Sequence, residues 1–225
     1  MKQPSAPLYL HYNAAEGCFR TSGIPFRDYM QYTPAPPEHL LILAGEISGN
    51  RYAHCFEMLS GSEAIADSLR TDDYRFGDFC FVDLQDPDSA EDLTDSEIAA
   101  LLFLGRMHRP LDSPFLPRLG NRMAYLSHDN GWMSKLYCRD TAEPAAVLCR
   151  LLLAQVRQTL PDAAFRQLRD RVLALAGEGL LFDPAEIRRT GQPVFHRVGA
   201  YRDMDRIINA LAQLEARFPA EQLVL

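Results

Sequence analysis

The sequence predicts an α+β fold: a mainly antiparallel sheet built from two β-hairpins and a further strand, covered by helices, with a helical C-terminal region. Three observations carry this expectation. Two β-rich runs, 39–59 and 122–139, each surround an Asn/Gly turn signal. Between them lie two helix starts that set a Ser or Thr three residues ahead of a Glu. From Thr141 onward the apolar residues recur at helical spacing. The soft boundary this implies has 1–140 as the sheet region and 141–225 as the helical region. It separates either two domains or two layers of one.

Residues 1–39 read as largely irregular, with a short strand over Leu8–Tyr12 and the breaker cluster Pro34, Pro36 and Pro37. Tyr9, Tyr12, Phe19, Phe26, Tyr29 and Tyr32 give this segment more aromatic surface than a free tail carries, so it should pack onto the body. The first hairpin turns at Ser48-Gly49-Asn50-Arg51. A two-residue Gly-Asn loop then sets Leu41 against Met58, Leu43 against Phe56 and Gly45 against His54 on an apolar surface. Its other surface pairs Ile42 with Glu57, Ala44 with Cys55 and Glu46 with Ala53, and is mixed. Ser60 and Glu63 form a capping box for a helix with Ile65 and Leu69 inside. Phe79–Leu84 follows as a strand. Thr94 and Glu97 open a helix through Met107, its apolar side Ile98, Leu101, Leu102 and Leu104 or Gly105, and Pro110 ends it.

The second hairpin turns at Asp129-Asn130-Gly131. A two-residue loop sets Met123 against Cys138, Tyr125 against Leu136 and Asp129 against Trp132. That face is the more apolar and is assigned to the core. The other face pairs Ala124 with Tyr137, Leu126 with Lys135 and His128 with Met133, which puts His128 off the core near the loop. Beyond it, Thr141 is read as the cap of a helix to about Leu160, with Val147, Leu148, Leu151, Leu152 and Val156 inside. Asp162 is read as the cap of the next, carrying Phe165, Leu168, Val172 and Leu175. Asp183-Pro184-Ala185-Glu186 starts a short helix with proline at its first position. The last helix, 201–218, carries Met204, Ile207, Ile208, Leu211 and Leu214. These helices pack on the sheet or join a homodimer.

At 47% hydrophobic and 24% charged, the 225 residues match an ordinary globular protein. That excludes disordered, collagenous and disulfide-scaffold classes. No run approaches the ~20 apolar residues a membrane helix needs, and residues 1–13 lack the apolar core of a secretory signal. A soluble, cytoplasmic protein with no membrane partner is expected. The net charge is −7, distributed as −8 over 1–140 and +1 over 141–225. Acidic surface repels phosphate backbones, so no nucleic-acid partner is expected. All but two of the 23 basic residues are arginine, a bias that a GC-rich genome imposes. Five widely spaced cysteines with no Cys-x-x-Cys read as free thiols in a reducing compartment, with Cys80 buried among Phe79, Phe81 and Val82.

Candidate chemistry is sparse. The acidic stretch Asp83–Glu97 fails as a calcium loop, because Ala90 and Glu91 stand where an oxygen ligand and a glycine are required. No phosphate loop, dinucleotide fingerprint, nucleophile elbow or zinc-protease motif is present. No metal site and no cofactor are expected. His54, opposite Gly45, reads as a buried neutral histidine or as a ligand contact beside the space glycine leaves. His128, Asp129 and Trp132 place an imidazole, a carboxylate and an indole around one rim, while Trp132 by itself reads as a core residue. Two function classes follow. One is a binding or interaction module for a small ligand or protein partner. The other is a hydrolase or transferase using His54 or His128 with a nearby cysteine or carboxylate.

Overall fold

A computed structural model describes residues 7–43, 51–54, 56–70, 79–128, 132–201 and 220–223. Strand β1 (Leu8–Asn13) turns back into β2 (Cys18–Ser22), and Pro25 precedes helix α1 (Phe26–Tyr32). Strands β3 (His39–Ile42), β4 (Arg51–Ala53) and β5 (Phe56–Ser60) lead to α2 (Ser62–Arg70). Next, β6 (Phe79–Asp83) and a 3-10 turn at Pro87–Ala90 precede α3 (Asp95–Met107). The ribbon β7 (Met123–His128) and β8 (Met133–Cys138) follows, then α4 (Ala142–Val156) and α5 (Asp162–Leu175). The chain continues through β9 (Leu180–Phe182), α6 (Pro184–Thr190), β10 (Val194–Arg197) and β11 (Glu221–Gln222). This is an α+β mixture built on antiparallel strand pairs. Among the described residues no helix is long and apolar enough to cross a membrane. The chain divides into a central unit, Ala35–Asp140, and a terminal unit, Met1–Pro34 with Thr141–Leu225.

In the central unit the strands lie in the order β8-β7-β6-β3-β5-β4. The β7–β8 register sets Met123 opposite Cys138, Tyr125 opposite Leu136 and His128 opposite Met133, the pairs a two-residue loop demands. Its turn, 129–131, lies outside the described residues. The first ribbon differs from expectation. Leu41 does face Met58 and Ile42 does face Glu57, but the run after Arg51 is not one strand. It breaks at His54, whose φ of 55° is left-handed, so β4 folds back on β5 with Ala53 opposite Phe56. Strand β5 therefore lies between β3 and β4, and Tyr52 pairs with Glu57. The expected turn at 48–51 and Gly45 fall in 44–50, outside the described residues.

Local helix signals are met unevenly. Thr94 and Glu97 form a complete capping box, Glu97 N–H to Thr94 Oγ1 at 3.3 Å and Thr94 N–H to Glu97 Oε2 at 2.9 Å. Ser60 caps nothing. It completes β5 opposite His39, and the first helical acceptor is the Gly61 carbonyl, bonded by Ile65 N–H at 3.1 Å. The expectation of one core face for β7–β8 also needs correction. Ala124, Leu126, Met133 and Tyr137 on the supposed outer face are as buried as Met123, Tyr125 and Leu136. Helix α3 lies there, with Leu101, Leu104 and Gly105 inward and Leu102 half exposed. Cys80 is fully buried, and burial pushes its thiol up.

In the terminal unit the order is β11-β10-β9-β1-β2. The region after Thr141, read as helical, thus also supplies three short strands. Strand β1 pairs with β2 on one side and with β9 on the other, Tyr9 facing Ser22 and Leu181. Tyr9, Phe19, Phe26 and Tyr29 are buried, as expected for a segment that packs onto the body. Helix α1 is tied to α4 through Glu143, which accepts from Tyr29 Oη at 2.7 Å and Thr33 Oγ1 at 2.8 Å. Thr141 makes no side-chain cap, and α4 stops at Val156 instead of Leu160 because Arg157 turns left-handed. Gln158 N–H then closes on the Leu153 carbonyl at 3.0 Å. Asp162 is the first residue of α5 and makes no cap there. Asp183 does cap α6, accepting from Ala185 N–H at 2.8 Å. The helix expected over 201–218 falls almost entirely outside the described residues.

Candidate functional site

The apolar stripe of α3 determines where its last turn lands. Position 105 approaches β3 so closely that a Cβ there would lie 2.9 Å from Leu43 Cβ, so only glycine permits this contact. The helix then ends beside His128 of β7 and Lys135 of β8. His108 terminates it in the left-handed conformation, φ 52°, with its N–H on the Leu104 carbonyl at 3.0 Å. Its own carbonyl accepts from Lys135 Nζ at 3.3 Å, a cation placed where the helix dipole favours one. Lys135 is one of only two lysines in the chain. The His108 and His128 rings lie 6.3 Å apart, centroid to centroid, inclined by 32°.

Apolar side chains are exposed on the segments of chain that carry these imidazoles. Trp132 is 50% exposed, and Met107 and Leu111 are also exposed. Arg106 and Arg109 are exposed on either side of His108, Arg109 over the Phe103 ring at 5.8 Å, with Asp112 exposed next to Leu111. The arrangement offers hydrogen bonding from two imidazoles, positive charge and an indole at one end of the sheet. Sequence reasoning named His128 and Trp132 for this rim. It missed His108 and Lys135, although Pro110 signalled that a helix would end beside His108.

Two placements correct the sequence reading. Trp132 is a rim residue and does not pack in the core: it precedes β8, beyond the last described pair of the ribbon, His128 with Met133. His54 is exposed on the β4–β5 turn, so it is neither a strand residue nor a buried histidine. Asp129 lies outside the described residues, as does Cys55, the neighbour of His54. An imidazole–carboxylate pair does occur in the terminal unit, where His196 Nε2 meets Glu186 Oε2 at 3.1 Å and ties β10 to α6. Among the described residues no group of three His, Cys, Asp or Glu side chains is placed to hold a metal ion.

Glu57 also departs from expectation. Placed by the sequence on the mixed surface of the first ribbon, it is 5% exposed, and neither side-chain oxygen has a hydrogen-bond partner. Burial raises its pKa above the ordinary 4.5. The folded state therefore holds this proton more tightly than the unfolded chain. The group's contribution is fully present below the unfolded value and is lost as pH rises through the folded one. Glu57→Gln is expected to leave stability nearly unchanged at pH about 4 and to raise it by about 1–2 kcal/mol near neutrality. Urea midpoints of both proteins across that range measure the difference. Equal midpoint shifts at both ends would remove the desolvated carboxyl from the account.

No protein family, curated protein or solved structure matches this chain. The functional reading accordingly rests on the site's own chemistry.

Proposed function

We propose that the protein is a cytoplasmic binding or interaction module that engages a protein partner with the α3–hairpin end of its central unit. The carrying observation is the half-exposed indole of Trp132 on the hairpin that brings His128 to His108. Exposed tryptophan beside other apolar side chains is the composition of an interface anchor, not of ordinary surface. Arg106, Arg109 and Lys135 make the rim locally basic on a chain of net charge −7. That contrast favours an acidic segment with one apolar anchor, and it disfavours nucleic acid. The four described cysteines are buried and are not joined in disulfides, which supports the reducing compartment. The hydrolase or transferase alternative loses the support it drew from His54, because that imidazole sits exposed on a turn.

Trp132 is the only tryptophan, so its fluorescence reports on the site directly. Peptides selected by display against the intact chain should combine an aromatic or aliphatic anchor with Asp or Glu, and should blue-shift its emission. Trp132→Ala should weaken them by about tenfold or more. A selection whose peptides bind wild type and Trp132→Ala equally well would sink this reading. Sedimentation of the free chain reports whether a second copy is the occupant instead.

A further inference from the structure

Helix α3 is apolar on every side through its middle turns. Ile98–Gly105 runs eight residues without a polar side chain, although only Leu101, Leu104 and Gly105 among them are buried. A helix with no polar face is ordinarily enclosed. Here Ala99 and Leu102 are exposed on the outer side, Leu102 by 47%, and Met107 is exposed by 50% at the last turn. The outer side of α3 thus has the composition of a covered surface and lies bare.

Charge is segregated along the same helix. Asp86, Asp88, Glu91, Asp92 and Asp95 are exposed at its start or just ahead of it. Arg118 offsets Glu97 there at 3.0 Å and leaves those five carboxylates in excess. At the other end Arg106 and Arg109 are exposed beside Lys135, with Asp112 as a counter-charge. The 13 residues of α3 span about 20 Å, more than twice the ~8 Å screening length of physiological salt, so the two ends act as separate poles.

The outer stripe is complementary to itself. Asp95, Ala99, Leu102 and Arg106 are all exposed, and their intervals of four, three and four residues line them along one side of the helix. That spacing reads the same in both directions. Reversed against itself, the stripe sets Asp95 opposite Arg106 and Leu102 opposite Ala99, and a two-fold axis makes each match twice. Ala99 is small enough to let Leu102 seat. Asp92 ahead of the helix and Arg109 after it extend the same polarity.

We infer that α3 pairs with α3 of a second copy of this chain, antiparallel about a two-fold axis, Asp95 of each copy meeting Arg106 of the other and Leu102 packing over Ala99. The inference rests on the preference of the α3–hairpin end for an acidic protein segment, and it names that segment as residues 86–95 of a second copy.

Sedimentation velocity of the intact chain over a concentration series tests the pairing. Wild type is expected to form a concentration-dependent dimer that added salt weakens. Asp95→Lys and Arg106→Glu each set like charges opposite one another twice, so each variant alone should associate about tenfold more weakly or worse. Mixed in equal amounts, the two variants restore both charge matches and should dimerise with near wild-type affinity, which also shows that both are folded. A wild-type monomer at every concentration, single variants that associate as well as wild type, or a mixture no tighter than its components would each overturn the pairing. None of these results bears on the Trp132-dependent peptides. A dimer that obeys the charge exchange, while selected peptides bind Trp132→Ala equally well, upholds the pairing and removes only the indole from the rim.

Discussion

Asp83→Ala is expected to destabilise the central unit by about 3–5 kcal/mol. The carboxylate ends β6 and is only 3% exposed. Its Oδ1 accepts the backbone N–H of Arg122 at 2.8 Å and of Met123 at 2.7 Å, while Oδ2 meets Arg122 Nε at 3.3 Å. The β6–β7 ladder closes with Val82 opposite Ala124, so these bonds continue the pairing where the ladder stops. Alanine would leave a buried backbone donor at Met123 without an acceptor, and water cannot replace it cheaply. Asparagine retains an acceptor oxygen and forfeits only the charge assistance. Asp83→Asn should therefore cost about 1–2 kcal/mol. Urea unfolding followed by far-UV circular dichroism separates the two. Equal losses in both variants, or a loss below ~1 kcal/mol in the alanine variant, would show that the carboxylate does not tether these strands.

The features legible in the sequence are those decided within a few residues of chain. The Met123–Cys138 register follows from Asn130-Gly131 and strict alternation, and the Thr94–Glu97 box needs only four residues to form. Asp183-Pro184 is likewise self-sufficient. Wherever two parts of the chain compete for a residue, the local reading fails. Ser60 carries a valid cap signal, but pairing with His39 keeps it in β5. The Arg51–Leu59 run alternates well enough for one strand. Its break at His54 is decided by β5 finding β3 on one side and β4 on the other. His128 and Lys135 look like a solvent face until α3 covers it, and which helix covers which face is not a local property.

The same limit applies to the sites. Trp132 and His128 were visible because two turn residues adjoin them. His108 and Lys135 join them only through packing. Periodicity alone groups Leu102 with the inner side of α3, but Leu101, Leu104 and Gly105 take the buried positions and leave it outside. Leu180-Leu181-Phe182 is too short for either period to declare itself, so β9 was absorbed into a helical region.

Gly179→Ala is expected to cost about 3–4 kcal/mol and to act on the terminal unit as a whole. Gly179 has φ 68° with ψ 104°, outside the left-handed helical basin, a conformation that alone penalises a side chain by about 1–3 kcal/mol. Its other constraint is spatial, since a Cβ here would fall inside the van der Waals envelope of the Gly199 carbonyl oxygen. That carbonyl cannot retreat freely. It accepts the Tyr9 hydroxyl, while Val198 N–H bonds the Gly179 carbonyl at 2.8 Å and Gly199 N–H bonds Glu178 at 3.0 Å. Moving residues 198–201 away would therefore break four hydrogen bonds, that of Tyr201 N–H to Tyr9 Oη among them. Gly191 provides the control. Its φ of 69° is nearly the same, with a ψ of 15° that puts it in the left-handed helical basin, and nothing lies within 4 Å of the corresponding Cβ. Gly191→Ala should show the conformational penalty alone, about 1–2 kcal/mol. Urea midpoints for both variants, read with the tyrosine near-UV signal, measure the contrast. Matching losses at 179 and 191 would mean that the close approach to Gly199 contributes nothing, and that backbone conformation by itself explains why glycine stands at both positions.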